Sequence, residues 1–189
     1  PHTCKTPPNR GIYWVLLNQP IRKLMRRILI IFIFALFPLY LFAVSPNVQD
    51  EIDNANTLNK QGNLYSDQGR YAEAEQYYKR SLEIREKIYG TEHLEVEFVI
   101  NNLGLLYGRE GRFTEALSFF KRSLEIREKT FGEEHPSVAR SLNNLGTIYS
   151  SKGQYNKAET LFNRSLRIDE KTFGEDNPKV ALTLRNLGV

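Results

Sequence analysis

Apolar residues in the later part of the chain recur at helical rather than strand spacing. Val138, Leu142, Leu145 and Tyr149 fall at i, i+4, i+7 and i+11, one face of a helix. Phe113, Ala116, Phe120 and Leu124 form a second stripe of the same kind. Between stripes the punctuation is that of helix ends. Gly153 closes one helix, and Asn177-Pro178 supplies a side-chain cap followed by proline at the first helical position. His135-Pro136 plays the same part. Beyond residue 47 the pattern therefore predicts helices joined by short loops, with no strand alternation.

The stripes themselves repeat. Leu103-Gly104, Leu145-Gly146 and Leu187-Gly188 stand 42 residues apart. The same step relates Tyr65, Tyr107 and Tyr149, then Ala74, Ala116 and Ala158, then Tyr78, Phe120 and Phe162, and then Ser81, Ser123 and Ser165. So many columns in one register mean stacked copies of a single helix-pair unit, each burying its apolar face on its neighbours. The expected fold class is all-α, an α-solenoid of antiparallel helix pairs. Units are expected at 59–100, 101–142 and 143–184, with the start of a fourth at 185–189 and a linker leading into the first helix at 46–58. Small residues at Gly104 and Ala116 would let the two helices of a unit approach closely, and Phe120 is expected in the core. Glu83 with Lys87 and Glu125 with Lys129 have i,i+4 spacing and are expected to pair along the outside.

Ahead of the repeats, Met25-Arg26-Arg27 and the unbroken apolar run from Ile28 to Val44 read as the basic and apolar regions of a leader, 25–45. It is expected to act as a signal peptide or, being near the lower length limit of a membrane span, as an anchor. Either places the repeats outside a bacterial cytoplasm, exported or held at the membrane, and residues 1–24 are expected to have no structural part. The leader also explains the charge. Of 26 Lys and Arg, six lie in residues 1–45, which hold no acid, leaving 20 basic against 22 acidic residues beyond them. The repeats are nearly neutral, which excludes nucleic acid as a partner, and membrane contact is expected only through the leader. Cys4 is the only cysteine, so neither a disulfide framework nor a cysteine zinc site can form.

Leu103-Gly104-x2-Tyr107 followed by Ala116-x3-Phe120 resembles the tetratricopeptide signature. The 42-residue period exceeds the usual length of about 34 for that family. The extra residues lie in a lengthened second helix and its loop, 126–136, a form similar to the repeats of kinesin light chains. The resemblance implies a superhelix whose first helices line a concave groove. Gln61 stands where Leu103 and Leu145 stand, and Ile52 where Pro136 stands, as expected of a solvent-facing terminal unit. Because the repeat pattern stops inside a first helix, the chain is expected to be a piece of a longer array.

Chemistry finds little to hold in this pattern. His93 and His135 occupy equivalent loop positions without ligand-type neighbours and are expected to cap helices. Serines and glutamates recur with the fold, whereas a catalytic group is needed once. No phosphate loop, HExxH or nucleophile elbow is present, so neither an enzyme nor a bound cofactor or metal is expected. The exceptions to the packing pattern are mid-helix asparagines, since asparagine is a mediocre helix former. The resemblance implies that Asn102, Asn144 and Asn186 face the groove and hold the backbone of a bound peptide. Alternatively these amides bond the adjacent repeat, and the sequence leaves both readings open. The candidate groove comprises Phe98, Asn101, Asn102, Leu105 and Arg109 from the second unit. Arg140, Asn143, Asn144 and Thr147 join them from the third, and Arg185 with Asn186 from the fourth. Lys60, Arg109, Arg140 and Arg185 outweigh Asp67 there, so the expected partner is an acidic protein or peptide segment with apolar anchors. The function expected is a protein-interaction scaffold. The alternative is the sensing arm of a larger bacterial enzyme, for example one with a caspase-like peptidase domain.

Overall fold

A computed structural model describes residues 37–188, with side chains from Asn47 onward. Residues 25–36 of the leader thus lie outside the described residues, as do residues 1–24, and 37–45 are described in backbone only. Among the described residues no helix is long and apolar enough to cross a membrane. The chain divides at Gln49 and Asp50. Of the first part only residues 37–49 are described, as the opening turns of α1 (Phe37–Asp67).

The second part continues α1 and adds α2 (Tyr71–Tyr89), α3 (Leu94–Arg109), α4 (Phe113–Phe131), α5 (Pro136–Ser151), α6 (Tyr155–Phe173) and α7 (Pro178–Leu187). The described residues contain no strand. α1 and α2, α3 and α4, and α5 and α6 form three antiparallel pairs, and α7 opens a fourth. First helices start at Leu94, Pro136 and Pro178, reproducing the sequence period.

Local chemistry sets these boundaries. His93 and His135 cap α3 and α5, their Nδ1 atoms accepting from the backbone N–H of Glu95 at 3.1 Å and of Ser137 at 3.2 Å. Each ring also stacks on the aromatic residue that ends the preceding helix, Tyr89 or Phe131. Asn177 Oδ1 accepts from Lys179 N at 3.0 Å, and Pro178 follows the cap. The capping expected of both histidines and of Asn177 is found. Gly132 ends α4 at φ 84°, a left-handed geometry that a side chain would resist.

Within each pair a glycine of the first helix lies under an aromatic ring of the second. A Cβ on Gly104 would stand 2.7 Å from Phe120 Cε1, and one on Gly146 would stand 2.5 Å from Phe162 Cε1. The ring takes the space a side chain would fill, as expected for Gly104. Phe120 is 1% exposed and packs with Val99, Leu103, Leu106, Tyr107, Leu145 and Ile148, so the core runs from one pair into the next. This continuity is what stacking requires, because one pair alone cannot bury its apolar face.

The outer charges pair differently from the sequence expectation. Lys87 reaches Glu51 on α1, the partner helix of its own pair, at 3.0 Å, and Lys129 pairs with Glu92 in the loop before α3, neither with the Glu83 or Glu125 four residues before it. Helical spacing puts i,i+4 partners within reach, but the first helix of the pair, or the loop leading into it, offers a carboxylate in the same space. Arg122 with Glu86 and Arg164 with Glu128 join the second helices of successive pairs across the repeat boundary.

Candidate functional site

The first helices present a face that packing leaves free. On α3, Phe98 and Leu105 lie seven residues apart on one side and remain 49% and 42% exposed, although both are large and apolar. Between them stand Asn101 and Asn102, half-buried, and Arg109 follows. Arg109 donates to Ser66 Oγ at 2.9 Å and to Asp67 Oδ1 at 3.5 Å, so part of its charge is answered on α1. On α5, Arg140 and Thr147 are exposed, and the Thr147 hydroxyl donates to the Asn143 carbonyl at 2.9 Å. On α7, Arg185 is exposed and Asn186 half-buried.

The asparagines form a ladder across repeats. Asn102 Nδ2 donates to Asn59 Oδ1 at 3.1 Å, and Asn144 Nδ2 donates to Asn101 Oδ1 at 3.1 Å. Bonding between adjacent repeats, one of the two sequence readings, is therefore present. It does not exhaust these amides, since each has a second N–H and an acceptor oxygen. Asn143 is turned differently. Its Nδ2 donates to Ser165 Oγ at 2.6 Å and to Thr183 Oγ1 at 3.0 Å, tying α5 to α6 and α7, and its Oδ1 is buried without a hydrogen-bond partner.

Beneath this face runs a set of buried polar groups that the sequence reading did not single out. Arg127 lies at the core between α3, α4 and α5, with its side chain 2% exposed. It pairs with Glu97 at 2.7 Å and donates to the Ser137 carbonyl at 3.0 Å and to Ser141 Oγ at 2.8 Å. Burial pushes the Arg127 guanidinium below the ordinary arginine range, and the Glu97 charge works against that fall. One repeat earlier, Arg85 occupies the same position, pairs with Glu95 and donates to Asn56 Oδ1 at 2.5 Å. One repeat later the column holds Asp169, which is 4% exposed. Beside it a cleft of about 440 Å³ opens between α5, α6 and α7, lined by Ser137, Arg140, Asn143, Asp169, Lys179 and Leu182 among others. The signal was available in the sequence, as a change of sign in a column 42 residues apart. Among the described residues no three His, Cys, Asp or Glu gather to hold a metal ion.

The family model for the tetratricopeptide repeat matches residues 53–129, 95–171 and 151–189. The chain belongs to the tetratricopeptide repeat family. No curated protein matches it. Among solved structures it is similar to BtubC (BKLC) from P. vanneervenii, at 27% identity and a TM-score of 0.65, over 71% of this chain and 54% of that one. A Podosopora anserina putative kinesin light chain with nearly identical TPR-like repeats shares the fold at 24% identity and a TM-score of 0.65, covering 72% of this chain and 64% of that one. The first TPR of Spaghetti (RPAP3), bound to the HSP90 peptide SRMEEVD, shares it at 18% identity and a TM-score of 0.52, over 72% of this chain and 91% of that one. The chain thus spans about half to two thirds of the length of the first two structures. The repeats are of the kinesin-light-chain-like form, and the family and fold are those of protein-interaction scaffolds.

Proposed function

We propose that the first-helix face, from Phe98 on α3 to Asn186 on α7, is a groove that holds a peptide segment of a partner protein. One observation carries the reading. Phe98 and Leu105 leave large apolar surfaces in water on an element whose other face is fully packed, with amides between them that retain hydrogen-bonding capacity. Apolar anchors supply affinity, and the amides of Asn102 and Asn144 fix the peptide backbone between them. A neighbour of the same fold holds an HSP90 peptide, which supports a peptide as the ligand class. Arg140 and Arg185 are exposed along this face and favour acidic residues beside the apolar anchors. Binding of a short segment is expected at micromolar strength, about 8 kcal/mol.

The test is a random peptide library panned on the full chain. Enriched peptides should carry an apolar residue with Asp or Glu nearby, and Phe98→Ala with Leu105→Ala should weaken them about tenfold or more without lowering Tm. Enrichment indifferent to both substitutions would remove the groove. The leader, 25–45, we read as delivering the repeats to or across a membrane. Fractionation that finds the intact chain in the bacterial cytosol would overturn that.

A further inference from the structure

The cleft beside Asp169 has a buried carboxylate that no side chain of the described residues hydrogen-bonds, although Arg140 and Lys179 stand at its mouth. Asp169 is 96% buried by its 4% exposure, and no hydrogen bond reaches its carboxylate among the described residues. Asn143 lines the same cleft, and its Oδ1 is buried without a hydrogen-bond partner. A buried carboxylate is costly unless paired, and so is a buried amide oxygen. In the two earlier repeats the same column holds an arginine, and its guanidinium fills the space between successive first helices. Arg127 there meets the Ser137 carbonyl, Ser141 Oγ and Glu97. One period on, the Lys179 carbonyl and the Thr183 hydroxyl correspond to the first two of these acceptors. The much shorter Asp169 leaves the guanidinium's place open and reverses the charge at its floor.

Resting on the groove reading, we propose that this cleft takes the side chain of an arginine in the partner segment, its guanidinium set against Asp169 and the Asn143 amide oxygen. A guanidinium suits it because five N–H donors in a planar fork can answer several acceptors at once, and because it is the group the earlier repeats house there themselves. The cations at the mouth do not oppose this. Arg140 and Lys179 are exposed to water, and the Lys179 ammonium lies over the Phe173 ring, 4.0 Å from its centroid. Their fields are screened, whereas that of the buried carboxylate is screened far less. An anion entering the cleft would instead meet Asp169 with little water between them. The arrangement selects a long cationic side chain whose neighbours in the peptide are acidic, the latter lying against Arg140. Burial raises the Asp169 carboxyl above its ordinary range, and the Lys179 charge opposes the rise. An incoming guanidinium would relieve that penalty.

The test uses the full chain and N-acetyl-arginine methylamide, followed through the side-chain amide resonances of Asn143 and Asn144. N-acetyl-norleucine and N-acetyl-glutamate methylamides serve as the uncharged and anionic probes. The arginine probe alone should shift both amides, and Asp169→Asn should weaken it about tenfold or more. Asp169→Arg, which supplies the arginine of the earlier repeats from within, should abolish binding. No shift with the arginine probe, a stronger response to the glutamate probe, or unchanged affinity in Asp169→Asn would each overturn the proposal. If Asp169→Arg fails to fold, Asp169→Asn still decides. The probe carries no peptide to fill a groove, so its failure leaves the groove reading to the library, and a library without binders leaves the probe result standing.

Discussion

The second and third repeats are built on one framework and part company directly beneath the proposed groove. In the third, Ser165 Oγ donates to the Ala139 carbonyl at 2.9 Å, as Ser81 does to the Ala55 carbonyl at 2.8 Å in the first. In the second repeat Glu97 replaces that alanine, and Ser123 turns to its carboxylate at 2.6 Å. Glu97 also pairs with Arg127, so the space between α3 and α5 is closed by an ion pair fully occupied with hydrogen bonds. The third repeat has Ala139 and Asp169 at those positions, one too small to reach and the other short and without a hydrogen bond, and its cleft is open. The framework columns, glycine under aromatic and serine to backbone, fix how helices pack. The columns that vary in charge decide what lies under the proposed recognition surface.

Four substitutions separate these two layers. The largest effect is expected from Glu97→Ala, which leaves Arg127 buried without its counter-charge and should cost about 3 to 5 kcal/mol in denaturant unfolding. A loss near zero would mean that the pair contributes nothing the surrounding hydrogen bonds do not. Gly104→Ala and Gly146→Ala come next. Each forces a methyl group toward a boxed-in ring and should cost about 1 to 3 kcal/mol, with the two repeats responding alike because this column belongs to the shared framework. Clearly unequal losses would show that the repeats differ in packing as well as in charge. The smallest change is expected from Asp169→Asn, and it has the opposite sign. The Asp169 pKa is raised in the folded chain, so the stability linked to this group is fully present below its unfolded pKa and lost as pH rises through the folded value. Asp169→Asn should therefore raise Tm at neutral pH, and the gap should close as pH falls below the ordinary aspartate value of 3.8. A variant that melts lower than the parent at neutral pH would mean that the carboxylate is already paired.

Most of the framework was legible before any coordinates, because packing columns must recur wherever the same two helices meet. Phe120, Gly104 and the capping residues His93, His135 and Asn177 lie where periodicity and capping chemistry put them. The polar layer was harder to read for a physical reason. Adjacent asparagines such as Asn143 and Asn144 point about 100° apart on a helix, and a column pattern does not show which turns inward. Glu97 and Asp169 break their columns, so a search for recurrence passes over them. The lysine pairings were misread because the i,i+4 rule describes an isolated helix, and here a carboxylate from the packed first helix or its leading loop competes for the same charge.

The central claim is that recognition belongs to the first helices. It is tested most directly by mapping, on the full isotopically labelled chain, the backbone amide shifts caused by a peptide recovered from the library. The account predicts the largest shifts at Phe98, Asn102, Leu105, Arg140 and Asn144, with α4 and α6 little changed along their outer charges. Shifts concentrated instead around Arg122 and Arg164 on those second helices would contradict it.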